Sequence, residues 1–264
     1  VGRDALAGTF GDPGVVAAYR HRPPYPGEVF DILARLITSR PRDVLDIGAG
    51  DGALARPLAA IVDHVDAVDV SAAMLAAGAR QPGGQRPNLR WILGAIETAD
   101  LGGPYALVTA GASLHWMDFE VTMTRLTQVM ASGAVLAIVD HGPRDTPWRQ
   151  DVVAVIGRYS RSPGYDPSSS LPDKLAALGL LRIGGRATTA PVQFRQPVAQ
   201  YVEQLHSTSS LARKWMAPAE AAAFGAEITA AVAPHAENGV LAMTVGAEIT
   251  WGFALSTAVR ARDH

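Results

Sequence analysis

The chain has 264 residues, 48% of them hydrophobic and 18% charged, with a formal net charge of -2 and no cysteine. That balance belongs to a folded globular protein of one large α/β domain, or a core with an inserted cap. It excludes a disulfide framework and a thiolate metal site, and it offers no electrostatic footprint for nucleic acid. No run is apolar enough to span a bilayer, no apolar leader follows Val1, and the lack of cysteine suits a cytoplasmic protein.

The chain opens on helical periodicity. Residues 14–39 predict two helices around the joint Arg22-Pro23-Pro24-Tyr25-Pro26, which proline bars from helix. Val29, Leu33, Leu36 and Ile37 then recur at helical spacing. Short apolar strands alternate with helices from there. Strands are expected at 43–47, 65–70, 89–93, 105–110 and 134–140. Helices are expected at 51–62, from Ser71 onward with that serine as N-cap, and at 118–130 with Val121, Leu126 and Val129 inward. This alternation implies a parallel, doubly wound sheet.

The pattern loosens over 143–170, where prolines, glycine and a serine run gather. Helical pieces follow at 171–178, 198–205 and 218–232, and strand-like runs at 180–194 and 240–253. The expected fold is therefore Rossmann-like: a doubly wound, mainly parallel seven-stranded sheet with a helical cap. The expected division is a lid segment at 1–40, a core at 41–142, a cap with one late strand at 143–235, and a terminal antiparallel strand at 236–264.

The chemistry concentrates at one turn. Gly48-Ala49-Gly50-Asp51-Gly52 lies where the first strand ends, and glycines there let a ligand approach the backbone. Asp69 closes the second strand about 20 residues on, as a ribose-binding carboxylate does. Both stand at the carboxyl edge of the sheet, where open α/β sheets bind ligands. The pair points to an adenosine-containing cofactor. Gly48, Gly50 and Ala53 also satisfy the dinucleotide fingerprint, so an NAD(P)-dependent oxidoreductase stays open. Against it, Asp51 places negative charge in the first helical turn, where a diphosphate would need none.

At these residues the sequence resembles the class I S-adenosylmethionine-dependent methyltransferases. Val44-Leu45-Asp46-Ile47-Gly48-Ala49-Gly50-Asp51-Gly52 is similar to their first motif, and the stretch from Val68 to Leu75 to their second. Leu114-His115-Trp116 and the segment from Tyr19 to Pro26 resemble the small-molecule branch that includes trans-aconitate methyltransferase-like proteins. The resemblance covers residues 10–142 and implies S-adenosylmethionine as cofactor. Asp46, Gly48, Ala49 and Gly50 would hold its methionine part, with Arg22 or Tyr19 at its carboxylate. Asp69 would take the ribose hydroxyls. Val70 and Met74 would pack on the adenine, near Ala95, Ile96 and Glu97, and Ala110 would be a further cofactor-binding residue. Many relatives carry an acid at the position of Ala95; here Glu97 or a backbone carbonyl must replace it.

His115 is the candidate base, since its free pKa near ~6.5 suits proton transfer at neutral pH. Trp116 and His141 are expected at the acceptor. No metal is expected, because the pair Asp140-His141 alone makes no ligand set. The expected partner is a small-molecule methyl acceptor, with the chain a monomer or homodimer and with neither nucleic acid nor membrane involved. A third reading, set off by the missing acid at Ala95, keeps the cofactor in a cyclase or a regulator without methyl transfer.

Overall fold

The structure is a computed structural model that describes residues 1–162 and 170–256, save for the side chains of Arg3 and Asp4. The prolines, glycine, tyrosine and serines expected in a loose stretch at 163–169 lie outside the described residues, as does the end of the terminal segment from 257 onward.

In chain order the helices are α1 (Arg3–Ala7), α2 (Pro13–Tyr19), α3 (Glu28–Leu36), α4 (Ala55–Leu58), α5 (Ala72–Ala79), α6 (Phe119–Val129), α7 (Arg149–Tyr159), α8 (Leu171–Ala177), α9 (Val198–His206) and α10 (Pro218–Val232). The strands are β1 (Asp43–Ile47), β2 (His64–Asp69), β3 (Leu89–Leu93), β4 (Tyr105–Gly111), β5 (Met130–Arg144), β6 (Leu181–Thr188), β7 (Val192–Pro197), β8 (Ala236–Glu237) and β9 (Val240–Ala254).

These elements form two units. One comprises Tyr25–His141, Pro167–Ala190 and Ala247–His264; the other comprises Val1–Pro24, Gly142–Asp166 and Pro191–Gly246. The boundaries differ from those expected. Residues 1–24 and 25–40 part company, α8 and β6 join the first unit, and β9 contributes to both.

The first unit carries the sheet, in the order β3-β2-β1-β4-β5-β9-β6. Strands β1 to β5 pair in parallel and β6 runs antiparallel to β9. Seven strands lie along this mainly parallel path, as expected, but β7 and β8 also pair with β9 and bring the sheet to nine. A dinucleotide fold runs 3-2-1-4-5-6; here β9 stands between β5 and β6 instead.

Both faces of the sheet are covered, which is why its strands read as continuous apolar runs. Along β5, Val135, Ala137 and Val139 enter one core with Val44, Leu107, Val29 and Leu33. Leu136 and Ile138 enter the other, with Leu45, Ile47, Val108 and Leu126. The two-residue period of a strand makes that division. Asp66, only 1% exposed, accepts from Arg90 Nε and Nη2 at 2.7 Å each, from the Tyr105 hydroxyl, and from His64. Burial alone would raise its pKa, but these hydrogen bonds outweigh it and hold the carboxyl below its ordinary value.

Several helices are as expected and some are not. Ser71 caps α5 by accepting the Met74 amide, and Asp118 caps α6 by accepting that of Val121. Val121 itself is exposed; Thr122 and Met123 take the inward positions with Leu126 and Val129. The helix expected over 51–62 shrinks to the four residues of α4. Gly52 stands at φ 75° ahead of it, and Pro57 brings no amide to its ladder.

The second unit packs α7, α9 and α10 around Trp148, Val155, Tyr201, Phe224, Ile228 and Met243. There β7 pairs with the first half of β9, from Val192↔Val245 to Pro197↔Val240. Helix α7 falls within the stretch 143–170 expected to be loose. The prolines at 143 and 147 bound it without entering it, and Val152 and Val155 turn inward at helical spacing.

Candidate active site at the carboxyl edge of the sheet

The glycine turn is held open by backbone geometry. Gly48, Gly50 and Gly52 all adopt positive φ, at 63°, 57° and 75°. At Gly48 the neighbour matters as much as the torsion, because a Cβ there would overlap Ser113 Cβ. Ser113 is buried and donates its hydroxyl to the Ile47 carbonyl at 2.6 Å, which ties the tip of β4 to the tip of β1. Ala112, just before it, stands at φ 49°, a left-handed backbone that costs a non-glycine residue about 1–3 kcal/mol.

Asp69 braces the turn from the end of β2. Its Oδ2 accepts the Gly50 amide and its Oδ1 the Ser71 amide, each at 2.8 Å. Burial raises its pKa, and these two bonds work against the rise. A carboxylate offers about four lone-pair sites, so two remain for a ligand. Val70 and Leu93, at the tips of β2 and β3, are 62% and 61% exposed. Two uncovered apolar side chains beside a fixed acid fit the apolar base and the hydroxylated sugar of an adenosine. Met74 is buried under the turn, with its Cε 3.3 Å from where a Gly50 Cβ would stand.

Asp46 is 2% exposed, on the sheet face it shares with its register partner Thr109, whose hydroxyl donates to it at 2.8 Å. Desolvation pushes its pKa up to about 7; the Thr109 bond opposes this, and the charges of Asp69 and Asp51 reinforce it. Asp51 turns elsewhere: Oδ2 accepts from Gln81 at 2.7 Å and lies 4.0 Å from Arg56 Nη2. Its charge is thus partly offset, which weakens the argument that it bars a phosphate; the four-residue α4 also carries only a small dipole.

The remaining expected residues divide between the units. Ala49 is buried, its amide donating to the Val68 carbonyl at 2.9 Å. Ala95 is half-buried on the loop after β3, Ile96 is buried in the core, and Ala110 is fully buried within β4. Glu97 accepts the Asp118 amide and the Thr122 hydroxyl, so one of its oxygens serves the N-terminus of α6. His115 is exposed on a 3-10 turn (Leu114–Trp116), its ring 4.7 Å from that of the half-buried Trp116. His141 ends β5's share of this unit and stacks on Tyr25 at 3.8 Å. Tyr19 and Arg22 belong to the other unit. There Arg22 donates to Ser207 Oγ at 2.8 Å and to the Tyr19 hydroxyl at 3.1 Å, and lies over the Tyr19 ring at 4.1 Å.

Three residues of the site were missed from sequence. Tyr25, in the proline-rich joint, brings its hydroxyl so close to Gly111 that a Cβ there would overlap it. Thr109 and Ser113 give no motif signal; strand register alone brings Thr109 to Asp46. Among the described residues no group of three or more His, Asp or Glu is placed to hold a metal ion, and no helix is long and apolar enough to cross a membrane.

A glycine turn, a bracing acid and a 3-2-1-4-5 sheet closed by an antiparallel pair make a Rossmann-like fold, the one that the resemblance to class I S-adenosylmethionine-dependent methyltransferases implied. Comparison with known proteins agrees. Residues 44–133 match the sequence family of the methyltransferase domain. Uncharacterised methyltransferases of Mycobacterium tuberculosis and Mycobacterium bovis are 37% identical over 98 residues, which is 36% of this chain and 49% of theirs. The chain thus spans about half the length of the curated relatives it matches.

Among solved structures, a proposed type II methyltransferase of Anaeromyxobacter dehalogenans superposes with a TM-score of 0.62 at 22% identity, covering 88% of this chain and 96% of that one. YjhP of E. coli gives 0.54 at 15% identity, over 92% and 100%. A methyltransferase of Thiobacillus denitrificans, solved with S-adenosyl-L-homocysteine, gives 0.50 at 15% identity, over 92% and 97%. At such identities the likeness establishes the fold.

Proposed function

We propose that the chain transfers a methyl group from S-adenosylmethionine to a small-molecule acceptor. The observation that carries this reading is Asp69, locked by two backbone amides beside the exposed Val70 and Leu93 and the three left-handed glycines. When bound, the cofactor supplies an electrophilic methyl on a sulfonium, so the protein's work is to orient and desolvate. Asp69 accepts from the ribose hydroxyls, and Val70 and Leu93 cover the adenine. Asp46, carrying a proton near neutrality, gives it up when a cationic group of the methionine part is held nearby. His115 removes a proton where the acceptor must lose one, with Trp116 and His141 at the acceptor. A small molecule suits a net charge of -2, which offers no footprint for nucleic acid.

Calorimetry with S-adenosylhomocysteine and with NAD tests the cofactor. Micromolar binding of the first and none of the second is expected; the reverse pattern returns the chain to the oxidoreductases. Product mass tests the reaction, with a gain of one methyl expected and an unchanged mass arguing for a cyclase or a regulator. His115→Ala should lower turnover about a hundredfold with cofactor affinity unchanged. Equal turnover would leave His115 as scaffold.

A further inference from the structure

Strand β3 carries the half-buried Trp91 at its middle, in register with the fully buried Ala67 of β2. The outer edge of the indole reaches the glycine turn. A Cβ on Gly52 would stand 2.4 Å from Trp91 Cη2, and one on Gly78 of α5 would stand 2.6 Å from the same atom. The Gly78 Cβ would also meet the Asp51 carbonyl oxygen at 2.4 Å, so this ring atom abuts the turn and α5 where the two meet. Helix interiors disfavour glycine; at Gly78 the close approach of the turn explains its presence. The other end of the indole is tethered, since Nε1 donates to the Gly84 carbonyl at 2.8 Å. Gly84 is itself pressed against the end of α5, where a Cβ would lie 2.1 Å from the Gly78 carbonyl oxygen.

The loop after α5 grips the same turn through Asp51. Gln81 Nε2 donates to Asp51 Oδ2 at 2.7 Å. Arg56 joins the two segments, with Nε donating to the Asp51 carbonyl at 3.0 Å and Nη1 to the Pro82 carbonyl at 3.1 Å. One residue back, the Gly50 amide is the one that Asp69 accepts. Three left-handed glycines within five residues make a backbone with little stiffness of its own. A ligand that must first order such a turn loses affinity to the ordering, whereas a turn already held in place does not impose that loss.

We propose that Trp91 is a positioning residue of this site: with Gly78 and Gln81 it presets the glycine turn, so that Gly50 and Asp69 stand in place before the cofactor arrives. Toward the turn, the ring edge meets backbone at two glycines, so the place of the ring sets the place of the turn directly. The indole N–H is committed to the loop that carries Gln81, so the ring and the grip on Asp51 act through one segment, residues 78–91. That the turn receives an adenosine cofactor rests on the transferase reading above; that the ring presets the turn does not.

Two measurements on the full chain test this. Trp91→Phe keeps an aromatic ring in the core but lacks both Cη2 and the N–H. By calorimetry it should bind S-adenosylhomocysteine about tenfold more weakly than the wild type. Gly78→Ala should bind it about fivefold more weakly, although alanine is the better helix former, and Gln81→Leu about threefold more weakly. By NMR hydrogen exchange, the Gly50 and Gly52 amides of Trp91→Phe should exchange about tenfold faster than in the wild type, while the amides of β4 and β5 keep their rates. A ring that merely fills the core would instead speed exchange evenly across the turn and β4, and that pattern overturns the proposal. So does a Trp91→Phe variant that matches the affinity of a wild type that binds. A wild type that binds no S-adenosylhomocysteine sinks the transferase reading, and the exchange pattern alone then decides the role of Trp91.

Discussion

The two units are built on opposite plans. In the first, strands β1 to β5 follow one another along a single run of chain, and all the parallel pairs but β1–β4 are joined by one short crossover. In the second, three distant segments make the unit, and its core joins Trp148 and Val155 from one of them to Tyr201 and Phe224 from another. A plan made of local repeats writes itself into periodicity. A plan made of distant contacts does not, because each helix shows one apolar stripe but not what covers it. The polar chemistry differs in the same way. In the first unit the acids Asp46 and Asp69 are buried with hydrogen bonds to satisfy them, whereas in the second the amides of Gln196 and Gln204 keep open acceptors.

Four substitutions press on this contrast. Phe224→Ala should have the largest effect, about 3–5 kcal/mol for emptying an aromatic site in the second unit's core. Denaturant unfolding followed by tryptophan fluorescence measures it, and a loss under 1 kcal/mol would mean that this core is not the unit's main support. Gly48→Ala should cost about 2–3 kcal/mol, from a left-handed backbone and the overlap with Ser113. A stability equal to wild type would show that the turn relaxes freely.

Asp69→Ala should weaken S-adenosylhomocysteine binding by about 1–3 kcal/mol, the cost of stranding hydroxyls without a partner. An unchanged dissociation constant would remove the ribose from this position. Asp46→Asn has the smallest effect, and its size depends on pH. The folded pKa of about 7 lies above the ordinary carboxyl value of 3.8. The contribution of Asp46 to wild-type stability is therefore complete below about pH 4 and is lost as pH rises through about 7. The variant, which cannot ionise, should show no advantage at pH 4 and a melting temperature ~5 °C higher at pH 8 without cofactor. A difference independent of pH would show that Asp46 is not the group that titrates.

Much of the first unit was legible before any coordinates. The apolar runs at 43–47, 89–93 and 105–110 became strands nearly to the residue, and Ser71 capped its helix as read. Helix ends were harder. The expected 51–62 helix shrank to Ala55–Leu58 because Gly52 and Pro57 limit it, and Val121 faced solvent because the stripe of α6 runs through Met123. Helix α7 lies beside Pro143 and Pro147, which mark a loop in the sequence, while its inward pair Val152 and Val155 is too short a stripe to announce a helix.

Sequence alone determined the alternation of strand and helix, the glycine turn and the acid that braces it, since these follow from backbone torsions and from neighbours within one βαβ step. Tertiary structure decided which hydroxyl reaches Asp46, where Tyr25 lands, and which segments share the second core. Those outcomes depend on register and packing between residues far apart in the chain, and no local pattern encodes the partner across such a distance.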